Sequence, residues 1–145
     1  MDTYELSNVT EEIVKAFHNL MPQLTTSAPP PTREALEDMV RSGKTFIFLA
    51  RQNEPTGEII GSATLALSQS PTGVHAWIED VVVDSRARRQ GVGRLLTEAC
   101  LEKARQLGLR DVNLTSRPSR VAANQLYQSM GFIQRDTNVY RYPLD

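Results

Sequence analysis

Apolar positions recur at helical spacing from Thr10 to Met21, where Ile13, Phe17 and Leu20 line one face behind Thr10 as N-cap, with Val9 and Val14 placed to staple the entry. Pro22 to Pro31, rich in Pro, Thr and Ser, breaks that pattern and reads as a loop, as well suited to binding as to plain connection. A second helix follows Thr32. It turns Leu36, Met39 and Val40 inward, keeps Glu34, Glu37 and Asp38 near its positive end, and stops at Gly43. Lys44 to Ala50 then reads as a strand, Glu54-Pro55-Thr56-Gly57 as a turn, and Glu58 to Leu67 as the returning strand, with Gly61, Ala63, Leu65 and Leu67 on one face. After the turn Ser70-Pro71-Thr72-Gly73, the most apolar strand runs from Val74 to Val83; its three consecutive valines need cover on both faces and so place it centrally. Val92, Leu95, Leu96, Ala99, Cys100 and Leu107 mark a long amphipathic helix from about Gly91 to Leu107, with Gly108 suited to its cap. Asp111 to Thr115 supplies a further strand, Ser119 to Met130 a helix capped by Gly131, and Phe132 to Pro143 a closing pair of strands around Asp136-Thr137-Asn138.

Helices, antiparallel strands and then a strand–helix–strand crossover imply an α/β (mixed α+β) fold: a mainly antiparallel sheet with one parallel pair, flanked by about four helices. The ligand crevice is expected at the parallel pair. At 145 residues, one domain spanning 1–145 is the expectation. Sixteen basic against seventeen acidic residues give a formal net charge of −1, so no global basic charge recruits nucleic acid. The longest apolar runs, such as Ile47 to Ala50, fall far short of the roughly 20 residues of a membrane span. Met1 to Leu6 lacks the basic and apolar regions of a secretory signal, and a cytoplasmic location is the default. Cys100 is the single cysteine, and His18 and His75 sit in no metal-binding spacing, so no metal is expected. A homodimer is left open.

The sharpest chemical signal is Arg88-Arg89-Gln90-Gly91-Val92-Gly93-Arg94, which follows a buried strand and opens an amphipathic helix. Glycines at 91 and 93 let a ligand approach the backbone, while free amides and the helix dipole attract phosphate oxygens. A dinucleotide fingerprint would need a third glycine where Leu96 stands, and a triphosphate loop would need Gly-Lys-Ser or Gly-Lys-Thr. Both fit poorly. A diphosphate cradle for coenzyme A remains, and here the chain resembles the GNAT superfamily of N-acetyltransferases, whose motif of Gln or Arg, two variable residues, Gly, one variable residue and Gly or Ala is filled by Arg88, Gly91 and Gly93. The resemblance continues through Glu79-Asp80-Val81-Val82-Val83 before the motif and through Asn124, Leu126-Tyr127 and Gly131-Phe132 after it.

That resemblance implies a GNAT-like fold and acetyl-CoA as cosubstrate. It further implies that the backbone of Val81, Val82 and Val83 pairs with the pantetheine arm, and that the amides of Arg89, Gln90, Gly91, Val92, Gly93 and Arg94 receive the pyrophosphate. Asn124 would hydrogen-bond the pantetheine arm. Tyr127 would stand near the coenzyme sulfur, and a phenol with an ordinary pKa near 10 can donate a proton to a departing thiolate. Glu79 is the candidate base for the incoming amine and Asp80 the runner-up; period-two alternation puts them on opposite faces unless a bulge intervenes. The side chains of Arg88 and Arg89 serve equally well as solvated charge. Cys100 and His75 read as packing and strand surface, and Ser116, Arg117 and Arg120 as turn and surface residues.

Two function classes follow. One is an N-acetyltransferase that moves an acetyl group from acetyl-CoA to a primary amine in a direct ternary complex. The other is a catalytically silent acyl-CoA-binding or regulatory module, which could keep the same cradle. Tyr127 and Glu79 favour the enzyme. The segment Glu79 to Val83 is similar to that of glucosamine-phosphate acetyltransferases, but it serves coenzyme and shared chemistry and does not name the acceptor, which could equally be a peptide amine, a lysine, a polyamine or an aminoglycoside. Pro22 to Pro31 and the turn at Asp136-Thr137-Asn138 are expected to shape the acceptor side.

Overall fold

A computed structural model describes residues 1–53 and 57–145. The expected turn at Glu54-Pro55-Thr56 lies outside the described residues. Met1–Leu114 pack as one unit and Thr115–Asp145 as a second.

The first unit contains strand β1 (Asp2–Glu5), helices α1 (Glu11–Leu24) and α2 (Arg33–Arg41), strands β2 (Thr45–Arg51), β3 (Ile59–Ser70) and β4 (Gly73–Val83), a short 3₁₀ turn (Ser85–Ala87) and helix α3 (Val92–Gln106). The strands form one antiparallel sheet in the order β1-β2-β3-β4. Thr10 caps α1 as expected, accepting the amide of Ile13, and Thr32, directly before α2, caps it by accepting the amide of Ala35. Gly43, at φ +68°, follows the end of α2, and Gly108, at φ +72°, follows that of α3.

Helices cover both faces of the sheet. Ile13, Phe17 and Leu20 of α1 and Leu36 of α2 pack with Ile47 and Leu49 of β2, Ile59 of β3 and Val82 of β4. α3 lies on β2, β3 and β4. There Gly61 is the point of closest approach: a Cβ on it would stand 3.0 Å from Leu96 Cδ1 and from the Val82 carbonyl oxygen, and 3.1 Å from Val92 Cγ1. The bare backbone at Gly61 therefore lets the first turns of α3 settle against β3.

Several elements depart from the pattern-based reading. β1 is an edge strand that the N-terminal sequence does not announce: four residues, mostly polar, held by pairing Asp2 to Glu5 with Arg51 to Phe48. α1 runs through Pro22 to Leu24, where a break was expected. Proline removes a single helical hydrogen bond near the helix end, Met21 and Leu24 pack on the core, and Thr25 N–H closes the last turn on Met21 O at 2.9 Å. The strand expected over Asp111 to Thr115 is a single parallel bridge between Trp77 and Asn113, made by Ile78 N–H to Asn113 O at 2.8 Å and Asn113 N–H to Ala76 O at 3.0 Å.

The second unit carries α4 (Val121–Ser129), closed by Gly131 at φ +103° and by Phe132 N–H on Tyr127 O at 3.0 Å. The two strands expected over Phe132 to Pro143 are absent among the described residues, and 132–145 has no regular secondary structure. Alternating apolar residues become a strand only beside a hydrogen-bonding neighbour, which the local pattern cannot supply.

Candidate functional site

β4 is regular until Glu79. Thr64 pairs with Glu79 and Ser62 with Val82, so Asp80 and Val81 together face Ala63: a one-residue bulge. Asp80 adopts φ +52°, a left-handed conformation that Asp tolerates better than most residues. The bulge resets the alternation. Without it Val82 would share the face of Ala76 and Ile78; with it Val82 joins the core under α1 and α2. Asp80 is displaced from the core face, and both carboxylates reach the surface. Partial burial first, and then the Asp80 carboxylate, push the Glu79 carboxyl above the ordinary Glu range. The opposite-face relation expected for an uninterrupted strand therefore gives way to two interacting carboxylates.

β4 is the edge of the sheet, and its bridge to Asn113 ends at Trp77. Beyond that point the outer backbone edge of Val81, Val82 and Val83 has no strand beside it among the described residues. The side chain of Val82 is buried and those of Val81 and Val83 half-buried, in keeping with a core role for the side chains.

The chain then makes the turn that delivers α3. Asp84 accepts the amide of Arg86 at 3.0 Å and caps the 3₁₀ turn, Ala87 is buried, and the exposed Arg88 donates through Nε to Val83 O at 3.4 Å. Arg89 stands at φ +65° and Gly91 at φ +81°, with open space where a Gly91 Cβ would lie. Gln90 is exposed. α3 starts at Val92 on this glycine with no side-chain cap, and the first helical bond is Leu95 N–H to Gly91 O at 3.1 Å. The amides of the first turn precede that bond, so this uncapped, glycine-led end suits an anion. Val92 is buried; Arg94 pairs with Glu98 at 3.7 Å, and Gly93 O accepts the Thr97 hydroxyl at 2.7 Å. These features fit a diphosphate.

Sequence reasoning passed over Asp84, which is 2% exposed. Its Oδ2 accepts Asn19 Nδ2 at 2.9 Å and Arg86 Nη2 at 3.0 Å, and the next residue, Ser85, donates its amide to Gln23 Oε1 at 2.8 Å. A carboxylate ending an apolar strand is a readable capping signal. The partners from α1 are not, because 65 residues separate Asn19 from Asp84.

In the second unit, α4 presents Asn124 half-buried and Tyr127 buried, three residues apart on one side. Asn124 Nδ2 donates to Arg117 O at 3.0 Å, and the Tyr127 ring meets Phe132 edge-on at 5.6 Å. Elsewhere, burial pushes the Cys100 thiol up to about 12, so it stays protonated in the core. His75 bonds Ser70 and Thr72 at the exposed tip of the β3–β4 hairpin.

Residues 12–132 match the acetyltransferase (GNAT) family, and the chain belongs to it. It is 27% identical over 138 residues, 90% of this chain and 81% of the relative, to glucosamine 6-phosphate N-acetyltransferase 1 of Oryza sativa subsp. japonica. A Trypanosoma brucei acetyltransferase structure superposes with a TM-score of 0.74 at 29% identity, covering 99% of this chain and 100% of that one. An aminoglycoside acetyltransferase from an uncultured soil metagenomic sample shares the fold with a TM-score of 0.80 at 18% identity, over 99% and 96% of the two chains. No helix among the described residues is long and apolar enough to cross a membrane.

Proposed function

We propose that this chain is a single-domain N-acetyltransferase that moves the acetyl group of acetyl-CoA directly to a primary amine. The observation that carries the reading is the sequence of an open β4 edge, a turn through Arg89 and Gly91 at positive φ, and an α3 terminus led by glycine without a side-chain cap. In this reading the amides from Arg89 to Arg94 hold the pyrophosphate, the Val81–Val83 backbone pairs with the pantetheine arm, and Asn124 adds a hydrogen bond to that arm. Trp77–Asn113 is then the rung of a parallel pair beyond which the pantetheine enters. The coenzyme supplies an activated thioester.

The residues supply proton transfers. An ammonium has no free lone pair, so Glu79, directly or through water, takes a proton from the incoming amine. Its carboxyl sits above the usual range, closer to neutrality, where a general base works best. Tyr127 gives a proton to the sulfur as the carbon–sulfur bond breaks. A backbone amide of the β4 bulge polarises the carbonyl.

The rice relative is named for glucosamine 6-phosphate, so that amine leads the acceptor panel, followed by aminoglycosides, polyamines and peptide amines. Following thiol release from acetyl-CoA across this panel tests the proposal. Amine-dependent release is expected. Tight coenzyme binding with no thiol release for any amine would instead support a silent acyl-CoA-binding module.

A further inference from the structure

The turn between β4 and α3 has few bonds of its own. From Asp84 to Gln90 the described backbone bonds outside the 3₁₀ turn itself are Asp84 N–H to Ile60 O and Ala87 N–H to Asp84 O, both at 2.8 Å. Ser85, Arg86, Arg88, Arg89, Gln90 and Gly91 are exposed, and Arg89 holds a left-handed conformation that a non-glycine residue keeps only when its surroundings impose it. The buried polar anchor of this turn is the Asp84 carboxylate. Its contacts divide in two: Arg86 Nε, Nη2 and amide bond it from within the turn, and Asn19 Nδ2 bonds it from α1. One helical turn further along α1, Gln23 Oε1 receives the Ser85 amide, and Gln23 Nε2 is itself bonded to Asn19 O at 3.2 Å.

We infer that Asn19 and Gln23 of α1, acting through Asp84 and Ser85, form a latch that holds the β4–α3 turn in its anion-binding shape, making all four positioning residues for the diphosphate of the coenzyme. The latch leaves the pantetheine arm alone, because that arm is read by the β4 backbone before Asp84. It also joins the turn to the end of α1 that leads into the Thr25–Thr32 connection. This inference rests on the proposed coenzyme site. A buried carboxylate with several donors is a strong device for such a role: hydrogen bonds to a charged group contribute more than neutral ones, and loss of one donor leaves the carboxylate undercompensated.

The test compares binding of coenzyme A with that of pantetheine, which lacks the phosphates and the nucleoside, by titrations followed through amide chemical shifts. Asn19 is exposed, so Asn19→Ala keeps the core intact; Gln23→Ala and Asp84→Asn complete the set. Asn19→Ala is expected to weaken coenzyme A by about tenfold, the lower end for a hydrogen bond to a charged group, and to leave pantetheine within about twofold. Should Asp84→Asn fail to fold, the two α1 variants decide the matter. Equal losses for both ligands would reduce the latch to general scaffolding and overturn the inference, as would undiminished coenzyme A affinity in the folded variants. Wild-type protein that binds coenzyme A no better than pantetheine would instead refute the diphosphate site on which the latch depends.

Discussion

Its place in a family motif makes Tyr127 the expected proton donor, and its surroundings are those of a packed ring against Phe132. Tyr127→Phe keeps the ring and removes the hydroxyl, so coenzyme affinity should survive while kcat falls by roughly 10²-fold or more. Unchanged kcat, with chemistry limiting, would return Tyr127 to packing alone. Glu79 in its proposed role as base must be ionised, so activity should rise with pH on a limb lying above the ordinary Glu value of about 4.3. Glu79→Gln should abolish that limb in a pH–rate profile. Asp84 has the opposite shift: the Arg86 guanidinium, with the Arg86 amide and Asn19 adding to it, pulls its carboxyl from 3.8 to about 2 against the cost of burial. Arg86 also pairs with the exposed Glu58 at 3.2 Å. A depressed carboxyl stabilises the fold above its unfolded value and ceases to as pH falls through the folded one, so on the order of 2 kcal/mol should be present above about pH 4 and lost toward pH 2. Denaturant melts across that window should show a steeper loss of stability in wild type than in Asp84→Asn, which keeps the part that the other carboxylates contribute.

At the scale of elements, the β4 bulge and Gly61 decide how the site is aimed. The bulge displaces Asp80 from the core face and returns Val82 to the core, while Gly61 sets how closely α3 can lie on the sheet. Gly61→Ala would press a methyl against the Val82 carbonyl, a backbone atom that cannot move aside as a side chain can. A loss of roughly 1–3 kcal/mol in thermal or denaturant melts is expected, together with weaker coenzyme binding as the first turn of α3 is pushed outward. Stability equal to wild type would show that Leu96 and Val92 yield without cost. Gly93→Asp should act differently, adding bulk and a negative charge at the end of α3 proposed to hold the diphosphate. Calorimetry on the folded variant should find acetyl-CoA binding abolished, and undiminished affinity would remove the cradle.

Across the whole molecule, protection should follow position in the Met1–Leu114 sheet. Leu49, Ala50, Ala63 and Leu65 are at 0% exposure in the paired strands β2 and β3, between helices on both faces. Hydrogen exchange is expected to be slowest at the amides bonded between these two strands and faster in the four-residue edge strand β1 and at the Ser70–Gly73 hairpin tip. Protection of β1 equal to that of Leu49 and Leu65 would mean that the edge is covered by something further, such as a second copy of the chain.

Features that depend on consecutive residues can be read directly along the chain. The Thr10 cap, the glycine stops, the β2–β3–β4 meander and the strand–turn–helix leading to Gly91 were all legible, because each is written in a few neighbouring positions whose propensities agree. The family motif was legible for the same reason. Features whose cause lies far along the chain emerge only on folding. β1 exists because β2 offers an edge, and α1 outlasts Pro22 because Met21 and Leu24 reach the core. The Asp111–Thr115 pattern gains only the one bridge at Asn113, and the Phe132–Pro143 pattern becomes no strand among the described residues, because alternation alone does not supply a continuous hydrogen-bonding neighbour. The bulge at Asp80 inverts a side-chain parity that period-two reasoning fixes the other way, and Asp84 meets Asn19 across 65 residues. Local pattern sets what a segment can form; which hydrogen bonds and buried contacts it finds is settled only when the distant partner arrives.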